Sequence, residues 1–418
     1  MTEPTVLLAG GRLANGELAD VLITGEQISA IRPAGHGLPG RLGQPSGLGL
    51  PGRPGLPPGA RLVDATGYLL LAAPVEAHSH FDKVLTAEFL PNEQGDLESA
   101  VRSWYGYRSS AQHAEIVERA GRAARWMLRR GSTAIRTHVD VGESVGLRFV
   151  TALAEVRASL AGELDLEVVA FVDVPTTGVA GRRNQALLRE SLAAGADCIG
   201  GAPYRDPEPV RCQRELLTLA AEFGVAVDLH TDEVLDATVS SLTDLAELTV
   251  ELGLNRVAAS HCVSLSLLPQ GEIDTIGQIL AGAGVSVVCS PATNLYLQAR
   301  APSQTSLRGI APLRALLAAG VTVAGGGDNI QDPFNPLGAG DALETAALLV
   351  LAGRLSIEEA YRAVSRDARR VMGLPPSELA VGDRAEILGI RADSLRQAIA
   401  NRSDDRLVLH RGRLIAVD

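Results

Sequence analysis

Aromatic residues make up only 3% of this 418-residue chain. Base-stacking platforms are built from several aromatics side by side, so that mode of nucleic-acid binding is not expected. Basic charge is also in deficit. Asp and Glu number 49 against 38 Lys and Arg, for a net charge of -11. An acidic surface repels a polyanion, so no nucleic-acid partner is expected. Cysteines are few: Cys198, Cys212, Cys262 and Cys289, none in CxxC spacing. They fit a reducing compartment better than a disulfide framework. The N-terminus lacks a basic segment followed by an apolar core, and no apolar run reaches membrane-spanning length without Gly or charge. The expectation is a cytoplasmic protein with no membrane contact.

What the chain does have is alternation. Residues 5–32 and the C-terminal residues 385–416 carry short apolar runs separated by turns. Each end reads as a small β-unit, and the two are expected to pair as one β-sandwich from residues 1–68 and 375–418. Residues 36–61 are dense in Gly, Pro, Leu and Arg without a triplet period, which predicts a flexible insertion. From 69 to 374 apolar strand-like runs alternate with helical stretches such as Ala114–Arg129 and Arg211–Phe223. The strand candidates are Leu69–Ala77, Ala134–Val139, Leu166–Val172, Cys198–Gly200, Val225–His230, Arg256–Ser260, Val285–Cys289 and Val321–Ala324. Eight such units predict an α/β fold, a distorted (β/α)8 TIM barrel, which typically takes about 250 residues. Its active site is expected at the C-terminal strand ends.

Metal-capable side chains recur at those ends. His78 and His80 follow the first strand, and residues i and i+2 of a strand share a face. His230 ends the fifth strand, with Glu233 three residues later. His261 ends the sixth. Asp328 follows Gly325-Gly326-Gly327 after the eighth. Any one of these reads equally as a capping aspartate or a satisfied histidine. Six at four strand ends point to a metal centre.

The matching stretches make the resemblance specific. They are His78-Ser79-His80-Phe81-Asp82, Arg136-Thr137-His138-Val139-Asp140 and Val169-Ala170-Phe171, then Asp228-Leu229-His230-Thr231-Asp232-Glu233, Ala259-Ser260-His261 and Asn294-Leu295-Tyr296-Leu297-Gln298. Arg308-Gly309-Ile310 and Asp328-Asn329-Ile330-Gln331-Asp332-Pro333-Phe334 complete the series. In order and spacing the chain resembles the amidohydrolase superfamily, and within it the bacterial cytosine deaminase branch.

The resemblance implies a hydrolytic deaminase of a small nitrogen heterocycle, holding one divalent metal, Zn or Fe. It implies His78, His80, His230 and Asp328 as ligands, Glu233 as proton shuttle and His261 as the histidine that hydrogen-bonds the attacking oxygen. A bound metal lowers the pKa of its water to about 7, Asp328 accepts that proton, and Glu233 protonates ring and leaving amine. Relatives with two metals bridge them through a lysine on the fourth strand. Here Lys83 is the only lysine and follows the first strand, so one metal is expected. His138 reads either as a structural histidine or as a substrate contact. Asp173 and Asn329 stand where cytosine deaminases carry glutamine and aspartate, while Phe334 keeps an aromatic wall. Asp173 is therefore expected to face a substrate edge with two N–H groups, which makes cytosine a poor substrate. A homo-oligomer is the expected assembly. Two alternatives stay open: hydrolysis of an N-alkylamino triazine or cyclic amide, and a non-catalytic barrel kept as a binding module.

Overall fold

The computed structural model describes residues 4–35, 59–301 and 307–415. Residues 36–58 of the expected flexible insertion lie outside the described residues. Five N-terminal strands come first: β1 (Thr5–Arg12), β2 (Leu18–Thr24), β3 (Gln27–Pro33), β4 (Arg61–Asp64) and β5 (Tyr68–Ala72). Eight barrel strands follow. They are β6 (Glu76–Ser79), β7 (Ala134–Val141), β8 (Asp165–Val172), β9 (Cys198–Gly201), β10 (Ala226–Thr231), β11 (Val257–His261), β12 (Ser286–Cys289) and β13 (Val323–Gly325). The chain closes with β14 (Ile387–Arg391), β15 (Arg406–His410) and β16 (Arg413–Leu414).

The two chain ends pair as expected. Their strands run in the order β16-β15-β14-β5-β1-β2-β3. The sheet forks at β1, where β4 pairs with Val6–Ala9 and β5 with Arg12. Inside it lies a small core of Val6, Leu8, Val21, Ile23, Ile28, Leu70, Ile387 and Leu409. One strand differs from the sequence reading, which ran the first barrel strand from Leu69 to Ala77. Tyr68–Ala72 pairs antiparallel with β14 instead, Leu71 opposite Leu388, and the barrel begins at Glu76. A continuous apolar run carries no mark of which sheet will bury it.

β6 to β13 form one parallel sheet in sequence order. Helices cover its outside, so β7 is buried at every one of its eight positions, as a strand covered on both faces must be. Among the helices, α1 (Leu97–Arg108) follows β6, and α2 (His113–Arg129) buries Ile116, Ala120, Ala123, Ala124 and Met127 on one helical stripe. The sheet closes on itself through Asp328. Its N–H donates to the His78 carbonyl at 2.8 Å, and its carbonyl accepts from the His80 N–H at 3.2 Å. Close approach explains the glycines before it: a Cβ at Gly326 would lie 2.7 Å from the His78 Cβ. Among the described residues no helix is long and apolar enough to cross a membrane.

Candidate active site

The C-terminal strand ends bring His78, His80, His138, His230, Glu233, His261 and Asp328 to one place, each no more than 6% exposed. The His80 and His230 Nε2 atoms lie 3.1 Å apart. Asp328 Oδ1 is 3.4 Å from His80 Nε2 and 3.8 Å from His78 Nε2. His261 Nδ1 lies 3.6 Å from Glu233 Oε1, 4.0 Å from Asp328 Oδ2 and 3.3 Å from the Asn294 Oδ1. His261 and Asp328 both adopt left-handed backbone, φ 72° and 63°. Such strain in non-glycine residues persists where the surroundings over-determine it, often at functional sites.

Burial sets the charge state. It is the largest cause of a fall to about 4 in the pKa of His78, His138 and His261, and it takes His80 and His230 well below the usual imidazole value. The five rings are therefore neutral, the form that binds a metal. Burial also pushes Glu233 up to about 8 and Asp328 well above the carboxylate range.

Several of these buried atoms have no hydrogen-bond partner among the described residues: both nitrogens of His78, His230 Nδ1, His261 Nε2 and both Asp328 oxygens. Unpaired buried polar atoms are costly, and several aimed at one point need a common partner. Donors on a four-coordinate metal with bonds of about 2.0–2.1 Å stand about 3.4 Å apart, and the separations of 3.1–3.8 Å among His78, His80, His230 and Asp328 match that. The donor atoms of His78, His80 and Asp328 all lie within 4.8 Å of one another, as do those of His78, His138 and His230, so the cluster fits a divalent metal. The donor atoms of His230, Glu233 and His261 also lie within 4.8 Å of one another.

A charged layer lies beneath. Asp228 accepts from Arg136 at 3.1 Å and from the Ser260 hydroxyl at 2.6 Å. His78 Nδ1 and His138 Nε2 flank it at 3.7 and 3.5 Å. His138 belongs to this layer: it is fully buried, packs on His78 with ring centroids 4.0 Å apart, and is absent from the pocket wall. Its ring nitrogen also lies within 4.8 Å of the donor atoms of His78 and His230.

Above the cluster opens a pocket with about 680 Å³ of empty space, open solvent at its mouth included. Asp173, Asn329 and Phe334 line it. The donors facing Asp173, however, come from the protein. Arg108 grips both carboxylate oxygens at 2.7 and 2.6 Å, and the Tyr105 hydroxyl adds a third bond at 3.0 Å. A carboxylate accepts about four hydrogen bonds, so the expected substrate edge of two N–H groups has no room here. The partner is on α1, far from Asp173 in sequence. Asn329 is likewise engaged, donating to Asp332 at 2.8 Å.

α1 was invisible to motif reading. Its Leu97, Val101, Trp104 and Tyr105 all line the pocket, a stripe at i, i+4, i+7 and i+8. The usable signal was scarcity: Trp104, Tyr105, Phe171, Tyr204 and Phe334 bring five of the chain's few aromatics to one wall. Lys83 and Asp140 line the pocket too. Lys83 Nζ lies 3.1 Å from His80 Nδ1 and 3.0 Å from Asp82 Oδ1.

An eight-stranded parallel barrel whose strand ends gather neutral imidazoles and carboxylates under a pocket defines a class of hydrolase. The profile of the amidohydrolase family matches residues 151–416, and the chain belongs to that family, hydrolases of carbon–nitrogen bonds. It is 28% identical to the N-isopropylammelide isopropyl amidohydrolase of Pseudomonas sp. (strain ADP), over 85% of this chain and 88% of that one. It is also 28% identical to the pterin deaminase of Rhizobium rhizogenes, over 81% and 79%. The structure of 5-methylcytosine deaminase from Klebsiella pneumoniae superposes with a TM-score of 0.84 and 26% identity, covering 99% of this chain and 97% of that one.

Proposed function

We propose that this chain is a deaminase of small amino-substituted nitrogen heterocycles that uses one divalent metal, Zn or Fe. The observation that carries the reading is the convergence of buried imidazoles and a carboxylate, His78, His80, His230 and Asp328, beneath the pocket, with His78 and Asp328 left without hydrogen-bond partners. A metal held there supplies a water made reactive near neutral pH. A cation held there would favour the ionised form of Asp328, 3.4 Å from His80 Nε2, and so let it act as the base for that water. His261 hydrogen-bonds the attacking oxygen through its free Nε2. Glu233 is protonated at neutral pH. It would protonate a ring nitrogen as the C–O bond forms, take up the remaining proton of the added hydroxyl, and pass that proton to the amine as the C–N bond breaks. Phe334, Phe171 and Trp104 give the ring flat apolar faces. Relatives that act on ammelide, pterin and cytosine rings support this substrate class.

The stripe of Leu97 and Val101 favours a second reading within the same chemistry, in which the leaving amine carries an alkyl group. Four free, buried cysteines support a reducing compartment, the cytoplasm. Elemental analysis together with an amine-release screen over aminopyrimidines, aminotriazines and their N-alkyl derivatives tests the proposal. One metal per chain and release of amine from at least one ring are expected. Two metals per chain overturn the mononuclear reading. Silence across the screen from metal-loaded protein overturns the reaction.

A further inference from the structure

Asp173 is held by Arg108 and Tyr105, and one N–H of Asn329 by Asp332, which leaves the polar edge of a ring in this pocket to be read by other groups as well. Two neighbouring pocket-lining side chains, Lys83 and Asp140, have capacity for such an edge. Lys83 carries three N–H donors. Its Nζ lies 3.1 Å from His80 Nδ1 and 3.0 and 3.2 Å from the two Asp82 oxygens. One N–H facing the Asp82 carboxylate can span both of its oxygens, which frees the third N–H to point elsewhere. Asp140 accepts from Trp104 at 2.8 Å and Arg108 at 2.7 Å, both through Oδ2. Its Oδ1 accepts no hydrogen bond among the described residues, and Lys83 Nζ stands 3.7 Å from it. Both side chains are only 5% exposed, and that exposure is to the pocket. Lys83 also lies 5.3 Å from the Trp104 ring and 5.7 Å from Phe334, the flat walls of the slot.

We propose that Lys83 and Asp140 form the specificity pair of this pocket, reading a lactam edge: Lys83 donates to a ring carbonyl and Asp140 Oδ1 accepts from the adjacent ring N–H. The pair presents one donor beside one acceptor, so an edge of two N–H groups leaves the Lys83 proton unmatched. A buried polar group without its partner is penalised strongly, which is how such sites discriminate. Arg108 is a positioning residue here. By holding Oδ2 of Asp140 and both oxygens of Asp173, it leaves Oδ1 of Asp140 as the acceptor that faces the ring.

The proposal rests on the deaminase reading for its ligand class, but binding tests it without turnover. Calorimetry on metal-loaded protein compares 2-oxopyrimidine, which has the carbonyl and N–H, with 1-methyl-2-oxopyrimidine, which keeps only the carbonyl. Methylation should weaken binding about 10- to 100-fold, the range for a hydrogen bond to a charged group. Asp140→Asn retains an oxygen for Trp104 and Arg108 but turns an N–H₂ to the ring, so the ratio should fall to near one with metal content unchanged. Lys83→Arg keeps the charge, moves the donor and should weaken both ligands alike. Equal binding of the two ligands by wild type, no binding of either, or an unchanged ratio in Asp140→Asn overturns the pair. If the ratio is as expected while no amino-ring releases amine, the pair stands and the deaminase reading falls.

Discussion

Glu233 combines two features rarely found together: a carboxyl pushed by burial to about 8 and a position 3.6 Å from a neutral histidine. The Tyr204 hydroxyl at 3.4 Å from Oε2 helps hold it. Glu233→Gln keeps shape and burial but removes the proton donor. It should bind metal normally and lose about 10²- to 10⁴-fold in kcat, read by amine release alongside metal content. Asp173 shows the limit of reading a site from single residues. The rule that a buried carboxylate needs donors was right; the donors turned out to be Arg108 and Tyr105 rather than the substrate. Asp173→Ala would take two carboxylate hydrogen bonds from the buried Arg108 and leave it the one to Asp140. With that partner kept, urea unfolding should show a loss of about 1–3 kcal/mol rather than the full cost of an unpaired buried charge.

Among the elements, α1 contributes most to the pocket and was least legible. Strands β6, β10, β11 and β13 announced themselves, because apolar runs ended in residues whose chemistry has few other uses. α1 has no such ending. Its role comes from tertiary contacts: Trp104 and Arg108 to Asp140, Tyr105 and Arg108 to Asp173, and Glu98 to Arg205 at 3.3 Å. The sequence shows the residues but not the distance between them. The helix starts at Asp96, whose side chain accepts from the Ser99 N–H at 2.7 Å. Asp96→Ala should cost about 1 kcal/mol of local stability. Because α1 forms a pocket wall and holds no metal donor, KM should rise with kcat little changed. An equal fall in kcat would show that α1 does more than shape the pocket. β5 was misplaced for the same reason as α1 was missed: its apolar run fits either sheet until β14 is beside it.

On the scale of the whole molecule, the metal-capable residues straddle the joint between the first and last barrel strands. His78 and His80 stand on one side and Asp328 on the other. Glu76, buried at 2% exposure, bridges the same joint by accepting from the His78 N–H at 3.0 Å and the Gly327 N–H at 2.8 Å. A metal that binds only the closed barrel adds about 4 kcal/mol at a free concentration 1,000 times its Kd. Chelation should therefore lower Tm, and a Tm indifferent to metal would remove the ion from this joint. The joint also carries a message about time. Gly327 lies 251 residues from Glu76 along the chain, and contacts this remote are slow to form. On the ribosome, β6 emerges with two of its histidines long before Asp328 exists. On the ligand set proposed above, the fourth donor arrives only when the eighth strand has been made and seated, so full coordination would mark the end of folding.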